Sequence, residues 1–368
     1  MKPSGGARLA SIGLALAALF AVIAAMEVAV RIADPQPAFR YRFSPATWYE
    51  PIPGARFTYQ REEFAVPVEY NSFGMRDRER SIENGSGALR VALVGDSFAE
   101  AKEVPFDSTL AQTLERLMAA NLREQPVEVL NFGVSGFGTV ASTIRFESLG
   151  AKFHPDVVIY LFVQNDPADN VENDARLYTL RDGALEFHEH RLSDTARIWR
   201  ASVDWAKQNL HVYRFLRFRA ERLVAARNTR NPARGTGDLD AKSAGGDSGA
   251  PAWRITRLAI ARLRDRVADT GGRLLVVQGT TSGAEMTKNL ALICSELGIP
   301  FLDIVPALAA DPGPVRYQFD GHWRSRGHAV AARAIALALV TILAEPEQPT
   351  LPPARVDTPR PDSSDALH

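Results

Sequence analysis

The stretch "VALVGDSFAEA", residues 91–101, opens as an apolar run and stops abruptly at Gly95-Asp96-Ser97. Uninterrupted apolar residues suit a parallel strand buried on both faces, and such strands end in small polar turns that lead into helices. A carboxylate and a hydroxyl at that turn have two readings. Either side chain can cap the following helix, or Ser97 is a nucleophile, provided that other segments supply a base for its proton and donors for an oxyanion.

Outward from this turn, strand-like and helix-like segments alternate, which is the pattern of a parallel sheet with helices on both faces. Strands are expected at Arg90–Val94, Val127–Phe132, Val157–Phe162, Arg273–Gln278 and Pro300–Ile304. Helices are expected at Ser108–Asn121, Val140–Leu149, Trp253–Asp269, Ala284–Leu297 and Gly327–Leu343. The count fits a flavodoxin-like α/β/α sandwich with a central parallel sheet of about five strands, whose order the sequence leaves open.

Ligands of such sheets sit at the carboxyl ends of the strands. The first strand ends in Gly95-Asp96-Ser97, and the second in "NFGVSGFG" (131–138), where glycines leave backbone N–H groups accessible. The third ends in Gln164-Asn165-Asp166, and "FDGHWRSRGHAV" (319–330) sets Asp320 and His322 before the last helix. A hydroxyl, backbone donors, a carboxamide and an imidazole beside a carboxylate are the parts that acyl transfer at serine requires.

These four blocks, in this order, resemble the SGNH (GDSL-type) hydrolase family, over roughly residues 60–343. "YNSFGMRDRE" (70–79) and "NDPADN" (165–170) are similar to its membrane-anchored bacterial members. The resemblance implies an esterase, lipase, thioesterase or carbohydrate deacetylase with Ser97 as nucleophile, His322 as base and Asp320 as its orienter. It also implies an oxyanion hole made by the N–H groups of Ser97 and Gly136 and the side chain of Asn165. Asp96 is expected to brace the nucleophile turn. Two departures stand out. Val163-Gln164 replaces the usual glycine near the third block, and Asp320-Gly321-His322-Trp323 has Asp-x-His-Trp where many members have Asp-x-x-His. The latter resembles enzymes that handle acetyl groups on exported polysaccharides, so an O-acyltransferase stands as an alternative to an esterase acting on a glycan or lipid ester. A non-catalytic binding module on the same fold is the third reading.

Other features bound these readings. Leu9–Met26 carries no charge over about 18 residues, roughly 27 Å of helix, enough to approach the span of a bilayer. Lys2 and Arg8 precede it, so the bias of basic residues toward the cytoplasm places the remaining chain outside. An uncleaved signal anchor is expected, with cleavage near Ala24-Ala25 as the alternative; the catalytic domain would then face the periplasm from the bacterial inner membrane. The 43 basic and 43 acidic residues cancel, which gives no footprint for a nucleic-acid partner. The single cysteine, Cys294, excludes an internal disulfide and reads as a core residue. His188 and His190 in "LEFHEHRL" suggest one strand face, but lack a third ligand at metal spacing. His328 reads as a packing residue. No metal and no cofactor are expected.

The chain is thus divided into an anchor (1–32), an extended segment with a small β element (33–88), the hydrolase domain (89–344) and a disordered Pro-rich tail (345–368). Within the domain, residues 167–226 are an insertion. It holds one long aromatic and basic helix, "ARIWRASVDWAKQNLHVYRFLRFRAERLVAAR", whose aromatic residues read as packing. Residues 228–251 are expected as a mobile loop.

Overall fold

A computed structural model describes residues 5–34, 40–122, 125–228 and 251–344. Helix α1 (Gly5–Ala33) is followed by two antiparallel hairpins, β1 (Tyr41–Ser44) with β2 (Trp48–Pro51) and β3 (Arg56–Gln60) with β4 (Ala65–Glu69). The α/β unit then begins with β5 (Leu89–Gly95), α2 (Ser97–Glu100), α3 (Leu110–Asn121), β6 (Val127–Asn131), α4 (Thr139–Ser148), β7 (Val157–Phe162) and α5 (Asp166–Glu172). After a hairpin of β8 (Tyr178–Arg181) and β9 (Ala184–Phe187) come α6 (Asp194–Asn209), α7 (His211–Asn228) and α8 (Pro251–Asp269). The chain returns through β10 (Arg273–Gln278), α9 (Ala284–Glu296), β11 (Phe301–Asp303), α10 (Val305–Ala310) and α11 (Ser325–Ala344).

Five strands form one parallel sheet in the order β6-β5-β7-β10-β11. The second strand of the unit thus lies outside the first and the others follow in turn, which is the flavodoxin-like order. Every residue of β5 and β7 is buried because helices cover both faces. Val91, Leu93, Val157, Ile159 and Leu161 pack on α3 and α11, while Ala92, Val94, Val158, Tyr160 and Phe162 pack on α8 and α9. Successive strand side chains point to opposite faces, so continuous apolar runs are what a doubly covered sheet demands. Cys294 lies in the second of these cores, where burial pushes its thiol up to about 12.

Helix α11 is apolar enough to span a bilayer by composition, yet it packs on α3 as a core helix, with Ile335 and Leu339 fully buried. Helix α1 differs. Its stretch Gly13–Ala33 has a mean hydropathy of 2.3 and is almost wholly exposed.

Four expectations need correction. The expected extended segment is in part a hairpin, since Tyr41–Ser44 pairs with Trp48–Pro51 as β1 and β2. The long helix of the insertion is two helices, broken at Leu210, whose backbone is extended. Glu27 of α1 supplies the physical reason, since its carboxylate accepts the N–H groups of His211 and Val212 at 2.9 and 2.8 Å and so starts a second helix there. Trp199 and Trp205 of α6 do not pack inward but are 71% and 58% exposed. His188 and His190 lie beyond the end of β9, and His190 stands edge-on to Trp48. Residues 229–250 of the expected mobile loop, the tail 345–368 and Lys2 lie outside the described residues.

Candidate active site

The turn after β5 is built by close approach. A Cβ on Gly95 would come 2.9 Å from the carbonyl oxygen of Leu161 on the neighbouring strand, so only glycine lets the chain leave the sheet here. Asp96 then caps α2, its Oδ1 accepting the Phe98 N–H at 2.9 Å. The capping role thus belongs to Asp96, and Ser97 is left with its hydroxyl directed elsewhere. Burial pushes the Asp96 carboxyl up to about 6 although the Phe98 N–H favours its charged form.

The Ser97 Oγ lies 2.8 Å from His322 Nε2 and 3.3 Å from Asp96 Oδ2. On the other edge of the ring, His322 Nδ1 lies 2.6 Å from Asp320 Oδ1. A carboxylate at Nδ1 selects the tautomer with its proton there, which leaves Nε2 to accept from the serine hydroxyl. Phe98 packs on the imidazole with ring centroids 4.8 Å apart, and buried Trp323 meets Phe98 edge-on at 5.0 Å. His328 is buried against Trp323, where desolvation pushes it down to about 3, so it stays neutral as a packing residue.

Gly136 sits in the loop between β6 and α4 with φ +77°, and a Cβ there would meet the Tyr49 hydroxyl at 2.8 Å. Tyr49 donates to the carbonyl oxygen of Ser135 at 2.9 Å, which fixes the peptide unit that carries the Gly136 N–H. The preceding N–H, of Ser135, donates to Glu100 Oε2 at 2.7 Å. Glu100 is fully buried, accepts from the Tyr41 and Tyr70 hydroxyls, and pairs with Lys102 at 2.9 Å. Burial alone would raise Glu100, but Lys102 and the surrounding donors hold it below its ordinary value. Asn165 stands at the start of α5, its Nδ2 donating to Asp169 Oδ2 at 2.6 Å; the amide carries a second N–H.

The structure therefore brings Ser97, His322 and Asp320 into one hydrogen-bonded chain with Asp96 beside it. It puts Gly136 and Asn165 at the ends of the two strands flanking β5. Sequence reasoning missed three groups. Glu63, in the β3–β4 turn, accepts the N–H groups of Gln318, Phe319 and Asp320 at 2.8, 2.7 and 2.9 Å, gripping the loop that carries the carboxylate. Glu103, buried, has Oε1 3.9 Å from His322 Nδ1, and desolvation raises its pKa. The Glu100–Lys102 pair was the third. Glu103, Asp320 and His322 present potential metal-ligand atoms within 4.8 Å of one another. Both ring nitrogens of His322 already face protein partners, Asp320 at Nδ1 and Ser97 at Nε2, an arrangement suited to taking the Ser97 proton at Nε2.

No protein-family model matches the chain. No curated protein matches it either. Among solved structures it is similar to a two-domain esterase active on acetylated mannans, at 14% identity and a TM-score of 0.40 over 73% of this chain and 53% of that one. The chain thus spans about half the length of that esterase. It is similar to TesA at 11% identity and a TM-score of 0.39, over 69% of this chain and 99% of that one. It is also similar to a GDSL-like lipase from Bacteroides thetaiotaomicron, at 11% identity and a TM-score of 0.36, over 69% of this chain and 89% of that one.

Proposed function

We propose that this protein is a serine esterase or deacetylase of the SGNH type, tethered to a membrane by α1 and acting outside the cytoplasm. The observation that carries the reading is the chain from Ser97 Oγ through His322 to Asp320, at 2.8 and 2.6 Å.

A serine hydroxyl is a weak nucleophile, so its proton must leave as the new bond forms. His322 Nε2 takes that proton while Ser97 Oγ attacks the ester carbonyl carbon, and Asp320 stabilises the imidazolium through Nδ1–H. The negative charge that develops on the carbonyl oxygen is met by the N–H groups of Ser97 and Gly136 and by Nδ2 of Asn165. Collapse expels the alcohol, which receives the proton from His322, and leaves an acyl-serine. A water molecule, deprotonated by the same imidazole, then releases the acid and restores Ser97. Asp96 and the Tyr49 and Glu100 contacts hold the turn and the donor loop in place without taking part in bond changes.

The test is hydrolysis of p-nitrophenyl esters of increasing acyl length by the full chain in detergent. Turnover of the short-chain esters, abolished in Ser97→Ala with the melting temperature unchanged, is the expected result. Full activity in Ser97→Ala would refute the assignment.

A further inference from the structure

Helix α6 is built inside out. Its inward face, Arg200, Val203, Asp204 and Lys207 at i, i+3, i+4 and i+7, is mostly charged. Asp204 is buried, accepts the Phe43 N–H at 3.3 Å and pairs with Lys207 at 2.8 Å, while the Arg200 guanidinium lies 5.0 Å from the Phe43 ring and 5.2 Å from that of Trp48. The bulky apolar residues point away, with Ile198, Trp199 and Trp205 exposed by 67%, 71% and 58%. A surface helix ordinarily turns its apolar stripe to the core and its charges to water. The reversal leaves Ile198, Trp199 and Trp205 uncovered among the described residues, a face suited to an apolar phase outside them.

The position of α6 identifies that phase. Its last residue, Asn209, offers its carbonyl oxygen to Arg31 of α1 at 3.0 Å, and the Asn209 side chain donates to the carbonyl oxygen of Trp205 one turn back. Arg31 pairs with Glu27, which caps α7. Glu27 and Arg31 are the first charges after the apolar run of α1, so they mark the depth at which a spanning helix leaves the hydrocarbon. Trp205 is thereby fastened to the headgroup level. Tryptophan, with an apolar ring and one N–H donor, is the side chain that favours this layer.

We propose that α6 lies in the interfacial layer of the leaflet from which α1 emerges, with Ile198, Trp199 and Trp205 inserted among the lipids. The domain is then docked on the bilayer instead of swinging on a leash. This rests on the reading of α1 as a membrane span.

The experiment uses the full chain in phosphatidylglycerol-containing nanodiscs with single nitroxide labels at Ile198→Cys, at Val22→Cys in α1 and at Asp265→Cys on the exposed face of α8. Cys294 is buried and stays unlabelled. Spin relaxation by oxygen, which partitions into lipid, is compared with relaxation by an aqueous nickel chelate. The expected result is a several-fold higher oxygen-to-nickel ratio at 198 than at 265, with 22 higher still, and the same outcome for Trp205→Cys. A lipid-like ratio at 22 with a water-like ratio at 198 would overturn the docking of α6 and leave the anchor standing. A water-like ratio at 22 would overturn both. Exclusion of both reagents from 198 would mean that a protein surface covers α6, which also overturns the proposal.

Discussion

At the scale of single residues, carboxylates hold the backbone and side chains around Ser97 and His322. Glu63 is the clearest case: it belongs to the β3–β4 turn, some 255 residues from the backbone it grips. Desolvation raises its pKa, but the three N–H groups together outweigh it and hold Glu63 below the usual carboxylate range. Glu63→Ala frees the 318–320 loop and with it the Asp320 carboxylate. Displacements of about 1 Å can cost roughly a hundredfold in rate, so kcat is expected to fall by about ten- to a hundredfold with little change in KM or melting temperature. Glu63→Gln keeps one acceptor oxygen and should recover most of the loss. Equal turnover in wild type and Glu63→Ala would remove the positioning role. Nothing in "REEF" announces that role, because an acidic residue in a turn between strands is the commonest solvated charge. The same holds for Glu100, Lys102 and Glu103. Three charges closely following Ser97 look like a surface, and only the fold shows them all to be buried.

At the scale of elements, strand ends were the legible part. The apolar runs of β5, β7 and β10 give those strands within a residue or two of their observed bounds, because double burial forces continuous hydrophobicity. The insertion was less legible, since the break between α6 and α7 is made by Glu27, a residue distant in sequence, and no local breaker stands at Leu210. The start of α4 carries a testable device of the same remote kind. Asp174 Oδ2 accepts the N–H groups of Gly138 and Ala141 at 3.1 and 3.0 Å, a cap supplied from beyond α5. Burial pushes its carboxyl from 3.8 up to about 7 in spite of these donors. Between those values the folded state holds a proton that the unfolded state has released, so this group makes stability fall as pH rises from about 4 to about 7. Asp174→Asn retains an acceptor oxygen and cannot titrate. Melting temperatures across that window should decline less steeply in the variant than in wild type, and parallel curves would contradict the account.

At the scale of the whole molecule, the sheet gathers what the sequence scatters. Ser97 and His322 stand 225 positions apart, yet strand order and crossover helices bring both to the carboxyl edge of one sheet, at 2.8 Å. The hairpins ahead of the sheet hold this edge from outside, through Tyr41, Tyr49, Glu63 and Tyr70. Their part in the site could not be read from composition, since aromatic residues in short strands pack equally well on any surface. The central claim is that this convergence makes Ser97 a nucleophile. The most direct measurement is reaction of the full chain in detergent with a fluorophosphonate, followed by peptide mass spectrometry to locate the adduct. A single adduct on Ser97 is expected, absent in Ser97→Ala and formed far more slowly in His322→Ala. An unmodified Ser97, or a labelling rate unaffected by His322→Ala, would contradict it.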